Sequence, residues 1–186
     1  MPRGNIYLTG FSGTGKSNSG RQAAELLGWE FFEMDDEIET STGKKIPEIF
    51  SEDGEVKFRQ IESDILKAAA TRTGLVVSTG GGVPTLEENR KLMAATGVVI
   101  RLTASPETIN ARLTASAGRR GRALRPLLGS EAPVDRVRAL LAERESAYAT
   151  ADAEINTEGL RHGDVAMLIM ETWEHISKLK GFQNGE

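Results

Sequence analysis

Gly10-Phe11-Ser12-Gly13-Thr14-Gly15-Lys16-Ser17 is the stretch that decides the fold class of this chain. The octet fits G-x-x-x-x-G-K-[ST], the loop that wraps the phosphates of a nucleotide. Its flanks are the ones that motif requires. Asn5-Ile6-Tyr7-Leu8-Thr9 has strand character, and residues 19–27 read as helix. Glycines at 10, 13 and 15 permit positive φ and let the backbone come close to a ligand. Successive N–H groups then face one concavity, and the helix that starts near Lys16 adds the positive end of its dipole. Lys16 is placed to bridge the outer phosphates, and the Ser17 hydroxyl to ligate Mg²⁺. Gly13, Thr14, Gly15, Lys16, Ser17 and Asn18 are therefore the expected nucleotide contacts. The loop implies a nucleoside triphosphate but does not name its acceptor.

Composition sets the outer bounds. The 186 residues suit one domain and 39% of them are hydrophobic, enough for a sizeable core. With 23 Lys and Arg against 27 Asp and Glu, the net charge is −4. That argues against general nucleic-acid binding, which leaves a basic footprint. There are no cysteines, so disulfides, thiolate metal sites and cysteine nucleophiles are excluded. Met1-Pro2-Arg3-Gly4-Asn5 leads straight into the first strand with no apolar signal segment. No apolar run is long enough for a bilayer. A cytoplasmic protein without a membrane partner is expected. His162 and His175 fall in the polar last third, are expected in solvent, and receive no chemistry.

Strand-like runs at 5–9, 30–34, 75–79, 98–103 and 152–156 alternate with helical patterns. Such alternation implies an α/β protein, a parallel sheet with helices on both faces. Ligands in these sheets bind beyond the C-terminal strand ends. The helix at about 54–71 repeats Phe58, Ile61, Ile65 and Ala69 at spacings of three and four, one buried stripe. Arg59 and Glu62 lie beside it and can face each other. The helix at about 133–149 turns Val134, Val137, Leu141 and Tyr148 inward. Residues 115–132 are the least regular stretch, about the size of a functional loop.

Four features narrow the acceptor side. Glu33-Met34-Asp35-Asp36 closes the second strand, where acidic groups can serve Mg²⁺ or a substrate hydroxyl; Asp35 or Asp36 could equally cap the next helix. Gly80-Gly81-Gly82 follows the third strand and lets backbone N–H groups approach a small ligand, or is a plain turn. Arg59 and Arg144 each stand beside a buried helical stripe, and arginine suits bidentate carboxylate recognition. Arg119 to Leu128 form a basic, glycine-containing segment that could close over phosphates. With aromatic residues at only 5%, stacking platforms for nucleic acid are lacking.

In this order the motifs resemble those of the shikimate kinases, over roughly residues 5–175. The resemblance rests on the phosphate loop followed by Gly20-Arg21, the acidic strand end, and Thr42-Gly43-Lys44-Lys45-Ile46-Pro47-Glu48-Ile49-Phe50. It continues through Gly54-Glu55, Phe58-Arg59-x-x-Glu62, Gly80-Gly81-Gly82, Arg125-Pro126-Leu127-Leu128, and Arg144 with Tyr148. It implies a three-layer α/β/α P-loop kinase fold like that of nucleoside monophosphate kinases, with five parallel strands in the order 2-3-1-4-5. One kinase domain would span 1–186, with a substrate-binding helical segment at about 35–62 and a mobile lid at about 113–132. The implied reaction is ATP-dependent phosphorylation of the 3-hydroxyl of shikimate, with Mg²⁺, by a monomer.

By the same resemblance, Arg59, Gly81, Gly82 and Arg144 would hold shikimate, the two arginines on its carboxylate. Asp35 would orient its hydroxyls and is the candidate base. Arg125 would be the lid arginine on the phosphates. Arg112 would stack on adenine, with the loop near Thr157 on the other face. Ser17 and Glu33 would serve the metal. The chain departs from the family in having Glu33 where Asp is usual, Ser146 where proline is common, and a longer, more basic lid. Two rivals remain from the residues alone: a P-loop kinase for gluconate or a nucleoside monophosphate, and a non-catalytic nucleotide-binding relative.

Overall fold

In the computed structural model, residues 4–117 and 134–182 are described. Five strands form one sheet: β1 (Asn5–Thr9), β2 (Glu30–Glu33), β3 (Leu75–Ser78), β4 (Gly97–Thr103) and β5 (Ala153–Asn156). All neighbours are parallel and the order is β2-β3-β1-β4-β5. The eight α-helices of the described residues are α1 (Lys16–Leu27), α2 (Met34–Thr42), α3 (Ile46–Glu52), α4 (Gly54–Ala70), α5 (Glu87–Thr96), α6 (Pro106–Ala117), α7 (Val134–Tyr148) and α8 (His162–Lys180), with one 3-10 turn at Val83–Thr85.

The inner strands are apolar on both faces because helices cover both, as a parallel sheet requires. Ile6, Leu8, Val76, Val98, Ile100 and Leu102 pack with Val165, Ile169 and Trp173 under α1 and α8. Tyr7, Leu75, Val77 and Val99 face Leu66, Ala69 and Met93 of α4 and α5. Each fully buried aliphatic side chain contributes about 1.5–3 kcal/mol. Two smaller clusters matter for the site. Ile38, Ile49 and Phe58 bind α2, α3 and α4 to one another. Phe11 of the phosphate loop packs on Ile109, Leu113, Val137 and Leu140, which fixes α6 and α7 beside it.

Element bounds differ slightly from the sequence expectation. The second strand stops at Glu33, and Met34 already opens α2. Glu33 is thus the N-cap, without a side-chain cap bond, and neither Asp35 nor Asp36 caps; both sit in the first turn, where acidic groups favour the helix dipole. Phe58 and Ala69 of the expected α4 stripe are buried and Ile61 and Ile65 are half-buried against the core, but the buried face also takes in Glu62, Ser63 and Leu66, so a carboxylate lies in it. On α7 the buried residues are Val137, Leu140, Arg144, Ala147 and Tyr148, with Leu141 half-buried against the same cluster, so Leu140 joins the expected face and an arginine is buried in it. Helix α6 runs to Ala117, so the first positions of the expected lid are helical. The remainder of that segment, with Arg125, lies outside the described residues.

Candidate active site

The phosphate loop joins the end of β1 to the start of α1, between β3 and β4 on the central axis of the sheet. Gly10 has φ +122° and lies so close to the Leu102 carbonyl that no Cβ could be accommodated. Gly15 has φ +98° and is the N-cap of α1. Glycine is needed at both, because L side chains rarely adopt that region. Thr14 closes the turn through its hydroxyl, which donates to the Phe11 carbonyl at 2.8 Å. Lys16 is buried, and its ammonium donates to the carbonyls of Gly10 at 2.8 Å and Phe11 at 2.9 Å. The lysine is held on the loop it serves, beside the concavity of N–H groups.

Arg112 joins this cradle to the β5 loop. Its guanidinium donates to the Thr157 hydroxyl and carbonyl, each at 2.9 Å, and to the Gly13 carbonyl at 3.4 Å. Thr157 is buried and donates to the Thr103 carbonyl. The two residues expected around adenine are therefore neighbours. Sequence reasoning gave His162 no role. It is exposed, as expected, yet its ring lies 3.3 Å from the Asn18 amide and 3.4 Å from the Ser19 hydroxyl, against Gly15. No local pattern could reveal this, since 143 residues separate it from Ser19.

Glu33, expected to serve Mg²⁺, meets the Ser17 hydroxyl. Burial is the largest influence on it and pushes its pKa up; Asp35 adds to that, while the Ser17 and Ser78 hydroxyls and Lys16 oppose it. Ser17 and Glu33 offer hard oxygen ligands at the end of the cradle. Mg²⁺ takes one or two such protein oxygens and completes its shell with water and phosphate oxygens. The pair fits that demand. Among the described residues no group of three or more His, Asp or Glu side chains could hold a metal by itself.

The acceptor side is gathered at Gly80-Gly81-Gly82, beyond the end of β3. These glycines have no unusual φ; they are required for room. A Cβ on Gly80 would strike the Glu62 carboxylate, and one on Gly82 would strike the Arg59 guanidinium. One on Gly81 would stand 3.5 Å from Arg144 Nη1 and 3.6 Å from the Tyr148 hydroxyl. The Gly81 carbonyl accepts from that hydroxyl at 2.7 Å and from Arg144 at 3.3 Å. Asp35 reaches the same place: its Oδ1 lies 3.6 Å from where a Gly80 Cβ would be. Both arginines expected to grip a carboxylate thus border one tripeptide, with Asp35 beside them.

Glu62 is a strongly perturbed carboxyl of the site. Its side chain is 2% exposed and donated to by Arg59 Nη1 at 2.5 Å. Burial lifts its pKa from 4.5 to about 7; Arg59 opposes the rise, Asp35 adds to it and Arg144 opposes it further. Tyr148, the wall behind Gly81, is underpinned by Arg101, whose guanidinium lies 5.3 Å from the ring and forks onto Glu145 at 2.8 and 2.6 Å. Three carboxylates (Glu33, Asp35 and Glu62) therefore run from cradle to acceptor pocket, interleaved with Lys16, Arg59 and Arg144.

A family model described as shikimate kinase matches residues 12–174. A shikimate kinase of Thermodesulfovibrio yellowstonii is 41% identical over 95% of this chain and 98% of its own. One from Geobacter sulfurreducens is 42% identical over 87% of this chain and 86% of its own. Among solved structures, the shikimate kinase of Acinetobacter baumannii in complex with shikimate superposes with a TM-score of 0.85 at 38% identity, covering 94% of each chain. A gluconokinase from Sinorhizobium meliloti shares the fold, with a TM-score of 0.57 at 16% identity.

Proposed function

This chain belongs to the shikimate kinase family, and on that premise we propose that it transfers the γ-phosphoryl group of ATP to the 3-hydroxyl of shikimate. The observation that carries the reading is the convergence of Arg59 and Arg144 on Gly81 and Gly82, beside Asp35 and next to the phosphate cradle. A small acid bound there would place its carboxylate between two guanidinium groups and a hydroxyl toward Asp35.

The acceptor oxygen forms its bond to the γ-phosphorus as the bond to the β,γ-bridging oxygen breaks. Such transfers are loose, so positioning and charge neutralisation supply most of the catalysis. Lys16 leaves its two carbonyl partners for the β- and γ-phosphate oxygens. Asp35 orients the hydroxyl first and takes its proton late. Arg125 would bring a further positive charge over the phosphates, an assignment made from the sequence alone. Ser17 and Glu33 would hold Mg²⁺, which when bound neutralises charge on the phosphates. Arg112, Thr157 and Asn18 would contact the nucleoside half. Action as a cytoplasmic monomer without nucleic acid belongs to the same proposal.

The test is ADP release with Mg²⁺ and ATP against an acceptor panel of shikimate, gluconate and AMP. Stimulation by shikimate alone is expected. Stimulation by gluconate or AMP instead would favour the other kinases, and slow hydrolysis that no acceptor stimulates would favour a non-catalytic relative.

A further inference from the structure

Arg59 is already occupied. Its Nη1 donates to Glu62 at 2.5 Å and its Nη2 to Glu55 at 2.9 Å, both on its own helix α4. The guanidinium rests on Gly82 and is 16% exposed. The two carboxylates are unlike each other. Glu62 is 2% exposed, is wedged against Gly80 and cannot leave without opening the core. Glu55 is 51% exposed, stands in the first turn of α4 just after Gly54, and has solvent to move into.

With Nη1 on Glu62 and Nη2 on Glu55, both outer nitrogens of the guanidinium are taken, so a further carboxylate can fork onto Arg59 only when one of the two gives way. An exposed pair separated by four residues is held weakly, by about two- to five-fold in its equilibrium at most. Glu55 is therefore the partner that gives way. We propose that Glu55 is an internal stand-in for the acceptor's carboxylate: it holds Arg59 against Gly82 while the pocket is empty and is displaced when the acceptor binds. It thereby sets the affinity for the acid and screens Arg59 from other small anions. This rests on the reading that Arg59 grips the acceptor's carboxylate. Glu55 acts through Arg59 and is a positioning residue.

The experiment is steady-state kinetics of Glu55→Gln with Mg²⁺, ATP and shikimate, together with inhibition by sulfate. Removing the charge should lower the KM for shikimate by about two- to five-fold, leave kcat within two-fold, and strengthen sulfate as a competitor of shikimate by a similar factor. Glu55→Asp, which keeps the charge on a shorter arm, should fall between the variant and the parent. A KM that is unchanged or raised in Glu55→Gln, with sulfate no more effective, overturns the stand-in. The underlying reading has its own readouts. If the parent chain does not phosphorylate shikimate, or Arg59→Ala leaves its KM unaltered, the acceptor assignment fails. If both hold and only Glu55→Gln disappoints, the stand-in alone is lost.

Discussion

The phosphate cradle and the acceptor pocket lie at the same C-terminal end of the strands but are built from different materials. The cradle is mostly backbone: positive-φ glycines, N–H groups, a helix terminus, and one lysine parked on the carbonyls of Gly10 and Phe11. Its polarity comes from fixed dipoles, which neither titrate nor move far. The acceptor pocket is side chains on α2, α4 and α7 set around three glycines, with Glu62, Glu55, Asp35, Arg59 and Arg144 balancing one another. A ligand common to many enzymes can be met by a permanent mould. A particular acid needs counter-charges held at a distance from one another, and those charges must be neutralised while the pocket is empty.

That contrast can be broken at the cradle first. Lys16→Met should lower kcat by about a hundred-fold or more, as for loss of a group that meets developing charge. Near-parental turnover would show that the backbone alone suffices. Next, Arg144→Ala should raise the KM for shikimate by about thirty-fold or more, since one partner of a buried charge pair is removed. An unchanged KM would remove Arg144 from the pocket.

A smaller effect sharpens the contrast by pH. Below about 7 Glu62 holds a proton, so Arg59 keeps more of its positive charge. The KM for shikimate should therefore rise several-fold from pH 6 to pH 8, while the KM for ATP changes less. A carboxylate bound at Arg59 would push the Glu62 pKa higher still, so binding should take up a proton near neutral pH, visible as a buffer-dependent calorimetric enthalpy. Glu62→Gln should abolish both. The same raised pKa means the folded chain holds this proton more tightly than the unfolded chain. The stability it gives is complete below about 4.5 and is lost as the pH rises through about 7. The smallest expected effect is that of Tyr148→Phe, which deletes the hydroxyl bond to Gly81 and should cost about 1 kcal/mol, read from Tm or denaturant unfolding. A loss of several kcal/mol would mean that the Gly81 loop depends on this single bond.

The alternation of apolar runs and the octet at Gly10–Ser17 were enough to specify a parallel α/β sheet and its phosphate loop, because both are local: period, φ preference and spacing are written in consecutive residues. Arg59, Arg144, Asp35 and the triple glycine could be picked out as residue types, and the structure does bring them together. Their arrangement was not legible. Folding alone placed Glu62 in the buried face of α4, where burial pushes its pKa up to about 7. It also set His162 against Ser19 across 143 positions and turned the Gly81 carbonyl to Tyr148. These facts depend on burial and on distances between segments far apart in the chain. A pKa or a competing ion pair is a property of what surrounds a residue in space, and that environment exists only once the sheet has brought the segments together.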